Sequence, residues 1–75
     1  MTFDEDIDAI GLLCPLPVLK LRKRLEGLVP GQVARLQASD PAARIDVPHF
    51  CSESGHDLIS VQAVDDIHHF FVRKV

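Results

Sequence analysis

Apolar residues recur along the chain with two different periods. From Pro17 to about Leu28 they fall at Val18, Leu21, Leu25 and Leu28. Spacings of three and four place these side chains on one face of a helix, with Lys20, Lys23 and Arg24 largely elsewhere. Gly27 is a tolerated weak spot or the beginning of the stop, and Pro30-Gly31 is a firm stop and turn. From Val33 to Ala38 the period drops to two: Ala34, Leu36 and Ala38 stand opposite Arg35 and Gln37. That is the pattern of a half-buried strand. Asp6 to Ala9 reads as a short first strand, followed by a turn at Gly11-Leu12. Asp40-Pro41 reads as a cap with proline at the first helical position. A second helix is expected from Pro41 to about Asp46, made irregular by Pro48, resuming towards Ser52 and ended by Gly55. His56 to Ala63 and Ile67 to Arg73, joined at Asp65-Asp66, form a hairpin of two strands.

The resulting order, β-α-β-α-β-β, predicts an α/β two-layer sandwich: a four-stranded mixed sheet with two helices on one face. Seventy-five residues supply one domain, 1–75, with its structured core over about 6–74. The face Leu21, Leu25 and Leu28 is expected to form the core.

Charge narrows the partners. The net charge of -3 argues against a dedicated nucleic-acid binder, which is usually basic. Trp and Tyr are both absent, so a base-stacking platform is poorly supplied and direct RNA binding is disfavoured. The charge is uneven: Asp4 to Asp8 is acidic, and Lys20, Arg22, Lys23 and Arg24 form a basic cluster. The cluster reads as a solvated helix face or as a docking surface for an acidic protein patch or an RNA backbone. No apolar run approaches the ~20 residues of a membrane span. The opening MTFDEDID holds four acids and no Lys or Arg, the wrong sign for a secretory or mitochondrial leader. A cytoplasmic location is expected.

The chemistry centres on one of two cysteines. Cys14 lies between a glycine turn and the prolines Pro15 and Pro17, at or next to the start of the first helix. Pro15 suits the first helical position, neither proline offers an N–H, and both stiffen the backbone around the thiol. The amide of Leu16 is left best placed to face the sulfur. The helix dipole is expected to lower the thiol pKa and raise the thiolate fraction. The competing structural reading is an inert small hydrophobe, which explains neither the prolines nor the turn. Acyl transfer would need a base beside the sulfur, and His49, His56, His68 and His69 qualify only by composition. Attack on a sulfur–sulfur bond needs only an exposed, partly ionised thiol.

The remaining polar residues have structural readings of their own. Asp40 is expected to be a helix cap. Asp46 is a solvated helical carboxylate or part of a polar network near the site. Cys51 is expected to pack, and could resolve a disulfide only if it lay near Cys14. His56 is expected to make a structural hydrogen bond. His68 and His69, adjacent on a strand, point to opposite faces. His49, Cys51, His56 and Cys14 have irregular spacing for zinc. No metal or other cofactor is expected.

The stretch GLLCPLPV, Gly11 to Val18, resembles the signature of the TusA family, also called SirA-like. Asp8-Ala9-Ile10, Asp40-Pro41-Ala42, Asp46-Val47-Pro48, Phe50-Cys51, Gly55-His56 and Arg73-Lys74 fit the same family, over residues 6 to 74. The resemblance implies a sulfur carrier with a two-layer α/β fold. Cys14 would accept persulfide sulfur from a cysteine desulfurase or another donor and relay it to an acceptor protein, in some members towards 2-thiouridine in tRNA. Other members serve sulfur oxidation or molybdenum-cofactor supply. Pro15, Leu16, Pro17, Lys20, Lys23, Arg24, Asp46 and Cys51 would support the site, with Cys51 matching a second cysteine of many relatives. Leu16 stands where many members carry glutamate, which changes the docking surface. A non-catalytic interaction or regulatory module of the same fold is the alternative.

Overall fold

The computed structural model describes residues 2–75. Its elements are β1 (Glu5–Ala9), α1 (Leu16–Glu26), β2 (Val33–Ala38), α2 (Ala43–Ser54), β3 (Asp57–Val64) and β4 (Ile67–Arg73). The order is the expected β-α-β-α-β-β. The strands form one mixed sheet in the order β1-β2-β4-β3. β1 pairs parallel with β2, and β4 runs antiparallel to both β2 and β3. β4 is therefore inserted between the strands that α2 connects. It carries the densest run of large apolar residues, Phe70, Phe71 and Val72, all buried. A strand that is apolar on both faces is stabilised most at the centre of a sheet.

Alternation decides which face the helices cover. Ile7 and Ala9 of β1, Ala34, Leu36 and Ala38 of β2, and Phe70 and Val72 of β4 are fully buried. They pack with Leu21 and Leu25 of α1 and Ala43, Val47 and Cys51 of α2 in one core. Val18 and Leu28 complete the expected α1 stripe but are only partly buried against it. On the other face Arg35 and Gln37 bond Asp6: Arg35 Nη2 donates to Oδ2 at 2.7 Å and Gln37 Nε2 to Oδ1 at 3.2 Å. The Arg35 hydrogen bond first, then that of Gln37, holds the Asp6 carboxyl below its usual range, against partial desolvation. Phe3 covers Phe71, and Arg35 stacks on Phe3 at 4.3 Å.

The second helix differs from the sequence expectation. It begins at Ala43 and runs without a break through Pro48 to Ser54. An interior proline removes one hydrogen bond and costs about 3 kcal/mol in a helix. Here Ala43, Val47 and Cys51, spaced by four, bury one stripe on the sheet, and tertiary packing of that stripe outweighs the local penalty. The carbonyl that loses its partner belongs to Arg44, an exposed residue. Gly55 ends the helix with φ 83°, and its N–H donates to the Cys51 carbonyl at 2.9 Å. Such a left-handed cap favours glycine. Asp65 and Asp66 both have positive φ, as a tight β-hairpin turn requires.

Leu25 is 1% exposed. Leu25→Ala is expected to cost ~2–5 kcal/mol. Urea unfolding measures it; a loss below ~1 kcal/mol would show that the site collapses around the smaller side chain.

Candidate functional site

The parallel pair sets the site's position. Ala9 and Ala38 are in register, so β1 and β2 end side by side and their following loops emerge together. The carboxyl ends of parallel strands are where α/β folds place ligands and reactive groups. Leu12 N–H donates to the Ala9 carbonyl at 3.2 Å, closing a turn with Gly11 at φ 85°. That left-handed conformation favours glycine. The turn directs the chain from the buried end of β1 towards the surface at Cys14.

The two loops are tied to each other. Gly11 N–H donates to Ser39 Oγ at 2.8 Å, and Cys14 N–H donates to Asp40 Oδ2 at 2.7 Å. The other Asp40 oxygen accepts from Ala42 N–H at 3.0 Å. Asp40 thus braces the turn before α2 and holds the backbone of Cys14, but it is not the helix cap expected of it: Ala42 is the N-cap, with no side-chain hydrogen bond, and Pro41 lies before the helix because that turn delays its start to Ala43. The two backbone N–H groups, Ala42 first, lower the Asp40 pKa.

The Cys14 side chain is exposed. Its Sγ–H donates to Asp46 Oδ2 at 2.7 Å. Asp46 belongs to the first turn of α2, so the two βα units contribute one group each. The expected acidic thiol is corrected here. The Cys14 pKa is raised: first because Asp46 accepts the thiol proton, then by desolvation, then by the negative charges of Asp46 and Asp40. A whole charge at hydrogen-bond distance outweighs the roughly half charge of a helix end. The donor expected to face the sulfur is also committed elsewhere, since Leu16 N–H bonds the Leu13 carbonyl at 2.9 Å. Pro15 is the N-cap and Leu16 the first helical residue, one position later than the sequence implied.

Beside Cys14, the α1–α2 seam opens into a groove of about 590 Å³. Its apolar wall includes Val18, Leu25 and Phe50, and its polar rim includes Arg22, Asp46 and His49. Arg22 lies 6.0 Å from the Phe50 ring centroid, and His49 pairs with Glu53. At the far end His56 Nδ1 accepts from Val75 N–H at 3.2 Å, the structural bond expected of it. Close to Cys14 in the chain, Leu13 and Leu16 are 70% and 49% exposed. The thiol is therefore flanked by apolar surface on the α1 side and by carboxylates on the α2 side.

A sequence model of the family described as sulfurtransferase TusA matches residues 5–74. The chain belongs to this family. It is 38% identical over 74 residues to the sulfur carrier protein TusA of Pseudomonas syringae pv. syringae, covering 99% of this chain and 88% of that protein. It is 39% identical over 71 residues to the sulfur carrier protein TusA of Pseudomonas entomophila, covering 95% and 89%. A SirA-like protein from Desulfitobacterium hafniense has the same fold, with TM-score 0.84, 22% identity and coverage of 93% and 96%.

The sequence-level site residues separate into two groups. Cys14, Pro15 and Asp46 share the groove, and Leu16 adjoins it through the chain. Pro17 is buried in the first turn. Lys20 and Arg24 are directed back to the sheet: Lys20 Nζ donates to the Asp8 carbonyl at 2.5 Å, and Arg24 pairs with Glu5. Lys23 is exposed in the last turn of α1. Of the basic cluster it is Arg22 that lines the groove. Its signal is the spacing of four from Cys14 to Val18 and again to Arg22, which continues the line of the thiol along α1. Phe50 and His49 carried no such signal, because the groove exists only once α2 packs beside α1.

Cys51 is 3% exposed within the core, and burial pushes its pKa up to about 11. A buried, protonated thiol is a poor nucleophile. Treating folded protein with iodoacetamide at pH 7 is expected to modify Cys14 alone, and denatured protein to be modified at both cysteines. Peptide mass mapping checks this; equal labelling of Cys51 in the folded protein would contradict its packing.

Among the described residues, no helix is long and apolar enough to cross a membrane.

Proposed function

We propose that this TusA-family protein carries sulfur as a persulfide on Cys14, taking it from a donor persulfide and yielding it to an acceptor thiol. The observation that carries the reading is the placement of Cys14. It is the exposed one of the two cysteines, held at the joined ends of β1 and β2 by the Asp40 bond to its own N–H. The curated relatives named as sulfur carriers support the same reading.

The reaction is thiol–persulfide exchange. The Cys14 thiolate attacks the terminal sulfur of the donor, the donor S–S bond breaks, and the donor leaves as a thiol. Discharge repeats the step with an acceptor thiol attacking the sulfur held on Cys14. A carrier must present its sulfur to two proteins in turn, and a rigid, protruding thiol serves both. Leu13 and Leu16 supply apolar contact area beside it. Donor and acceptor are accordingly proteins that dock over the α1 side of Cys14, and transfer of the sulfur into 2-thiouridine is one end use consistent with this reading. The test is intact-protein mass spectrometry after incubation with a cysteine desulfurase and cysteine. One added sulfur atom per chain, removed by reducing agent and mapped to Cys14, is expected; binding of the desulfurase without any sulfur uptake would instead make the protein an interaction module.

A further inference from the structure

We propose that Asp46 is the proton carrier of the transfer: its carboxylate takes the proton of the Cys14 thiol and delivers it to the thiolate that leaves the donor. The proposal rests on the sulfur-carrier reading and deepens it.

The geometry is direct. Asp46 Oδ2 lies 2.7 Å from Cys14 Sγ, within the reach a general base requires. Both side chains border the same open groove, so a donor sulfur that approaches Cys14 also approaches the carboxylate. Asp40, the other carboxylate near the thiol, is already occupied by the N–H groups of Cys14 and Ala42. Asp46 contacts the thiol itself. Arg22, His49, His56 and Lys74 are the basic groups on the same groove; Lys74 donates to the Leu25 carbonyl and His56 accepts from Val75 N–H, and none of the four makes a hydrogen bond with Cys14 or Asp46 among the described residues.

The thiol's neighbours leave a chemical problem. A carboxylate against the sulfur suppresses the thiolate, the species that attacks. A site in which Asp46 had no further part would hinder its own reaction. If Asp46 moves the proton, the same contact becomes productive. Cys14–SH and Asp46 carboxylate give Cys14–S⁻ and Asp46 carboxylic acid. The thiolate attacks the terminal sulfur of a protonated persulfide, R–S–SH. The new S–S bond forms at Cys14, the old one breaks, and its electron pair goes to R–S⁻. That thiolate takes the proton from Asp46. The sum is Cys14–SH plus R–S–SH giving Cys14–S–SH plus R–SH, with no net oxidation and Asp46 restored as carboxylate. Protonating the leaving group matters because an ordinary alkyl thiolate leaves more slowly than one of low pKa.

The experiment compares two reactions of wild type and Asp46→Asn at pH 7. Alkylation by iodoacetamide needs only the thiolate, since iodide leaves without a proton. Uptake of sulfur from glutathione persulfide must protonate a leaving alkyl thiolate. In Asp46→Asn, alkylation of Cys14 is expected to become several-fold faster, because the thiolate is no longer suppressed. Its selectivity for Cys14 over Cys51 reports that the variant is folded. Sulfur uptake is expected to become slower by about a hundredfold, the lower end of the range for general acid–base catalysis. A freed thiolate, and the loss of a negative charge facing an anionic donor, would each speed uptake; only the loss of the proton carrier slows it. Uptake that rises together with alkylation would overturn the proposal and leave Asp46 as a suppressor of the thiolate. Wild-type protein that is alkylated at Cys14 but takes no sulfur from any persulfide would instead sink the carrier reading, and the proton assignment with it.

Discussion

Replacing Cys14 by serine leaves a folded protein that takes up no sulfur. The fold should not register the change. The side chain is exposed, and the Asp40 bond uses the backbone N–H of residue 14, which serine retains. The serine hydroxyl can donate to Asp46 as the thiol does, so an exposed substitution of this kind should shift stability by no more than about 0.5 kcal/mol. The chemistry, by contrast, has no substitute. A hydroxyl does not ionise at neutral pH, and it forms no persulfide. Cys51 cannot stand in, because it is buried and its pKa is about 11. Cys51→Ser should therefore load like the wild type where its core tolerates the hydroxyl, and Cys14→Ser should show no added sulfur in the intact mass. Loading that persists in Cys14→Ser, at whatever residue, would remove Cys14 from the mechanism.

Phe70→Ala has the largest expected effect on stability. Phe70 is fully buried and sits at the middle of the sheet, facing Leu36 of β2 on one side and Val61 of β3 on the other. Truncating a buried phenylalanine costs about 3–5 kcal/mol through lost burial and the cavity left behind. A domain of this length has roughly 4–11 kcal/mol of stability in all. The substitution is expected to remove a large share of it and to lower the urea midpoint accordingly. Urea unfolding followed by circular dichroism tests this. Phe50→Ala is the comparison: Phe50 is only half-buried at the groove, so its loss should cost less. A Phe70→Ala cost no larger than that of Phe50→Ala would mean that the sheet centre repacks.

Much of this protein is local and was legible in the chain itself. The periods of three to four and of two located α1 and β2, with β2 bounded at Val33 and Ala38 as found. Turn chemistry at Gly11, Gly55 and Asp65-Asp66 located the breaks, because positive φ admits few residue types. The framed thiol at Gly11 to Val18 pointed to Cys14. In each case the cause lies within a few residues of its effect.

The tertiary structure decided the rest, wherever groups distant in sequence compete with a local preference. α2 passes through Pro48 because Ala43, Val47 and Cys51 gain more from the sheet than the proline costs. β4 enters between β2 and β3 because Phe70 and Val72 need cover on one face and Phe71 on the other. Arg22 reaches the groove while Lys20 and Arg24 are held by β1. The acidity of the thiol reverses for the same reason: local sequence supplies a helix start, but the fold brings a carboxylate from 32 residues away to 2.7 Å from the sulfur. A full charge at hydrogen-bond distance dominates the partial charge of a helix end, and which full charge lies there is a property of the fold.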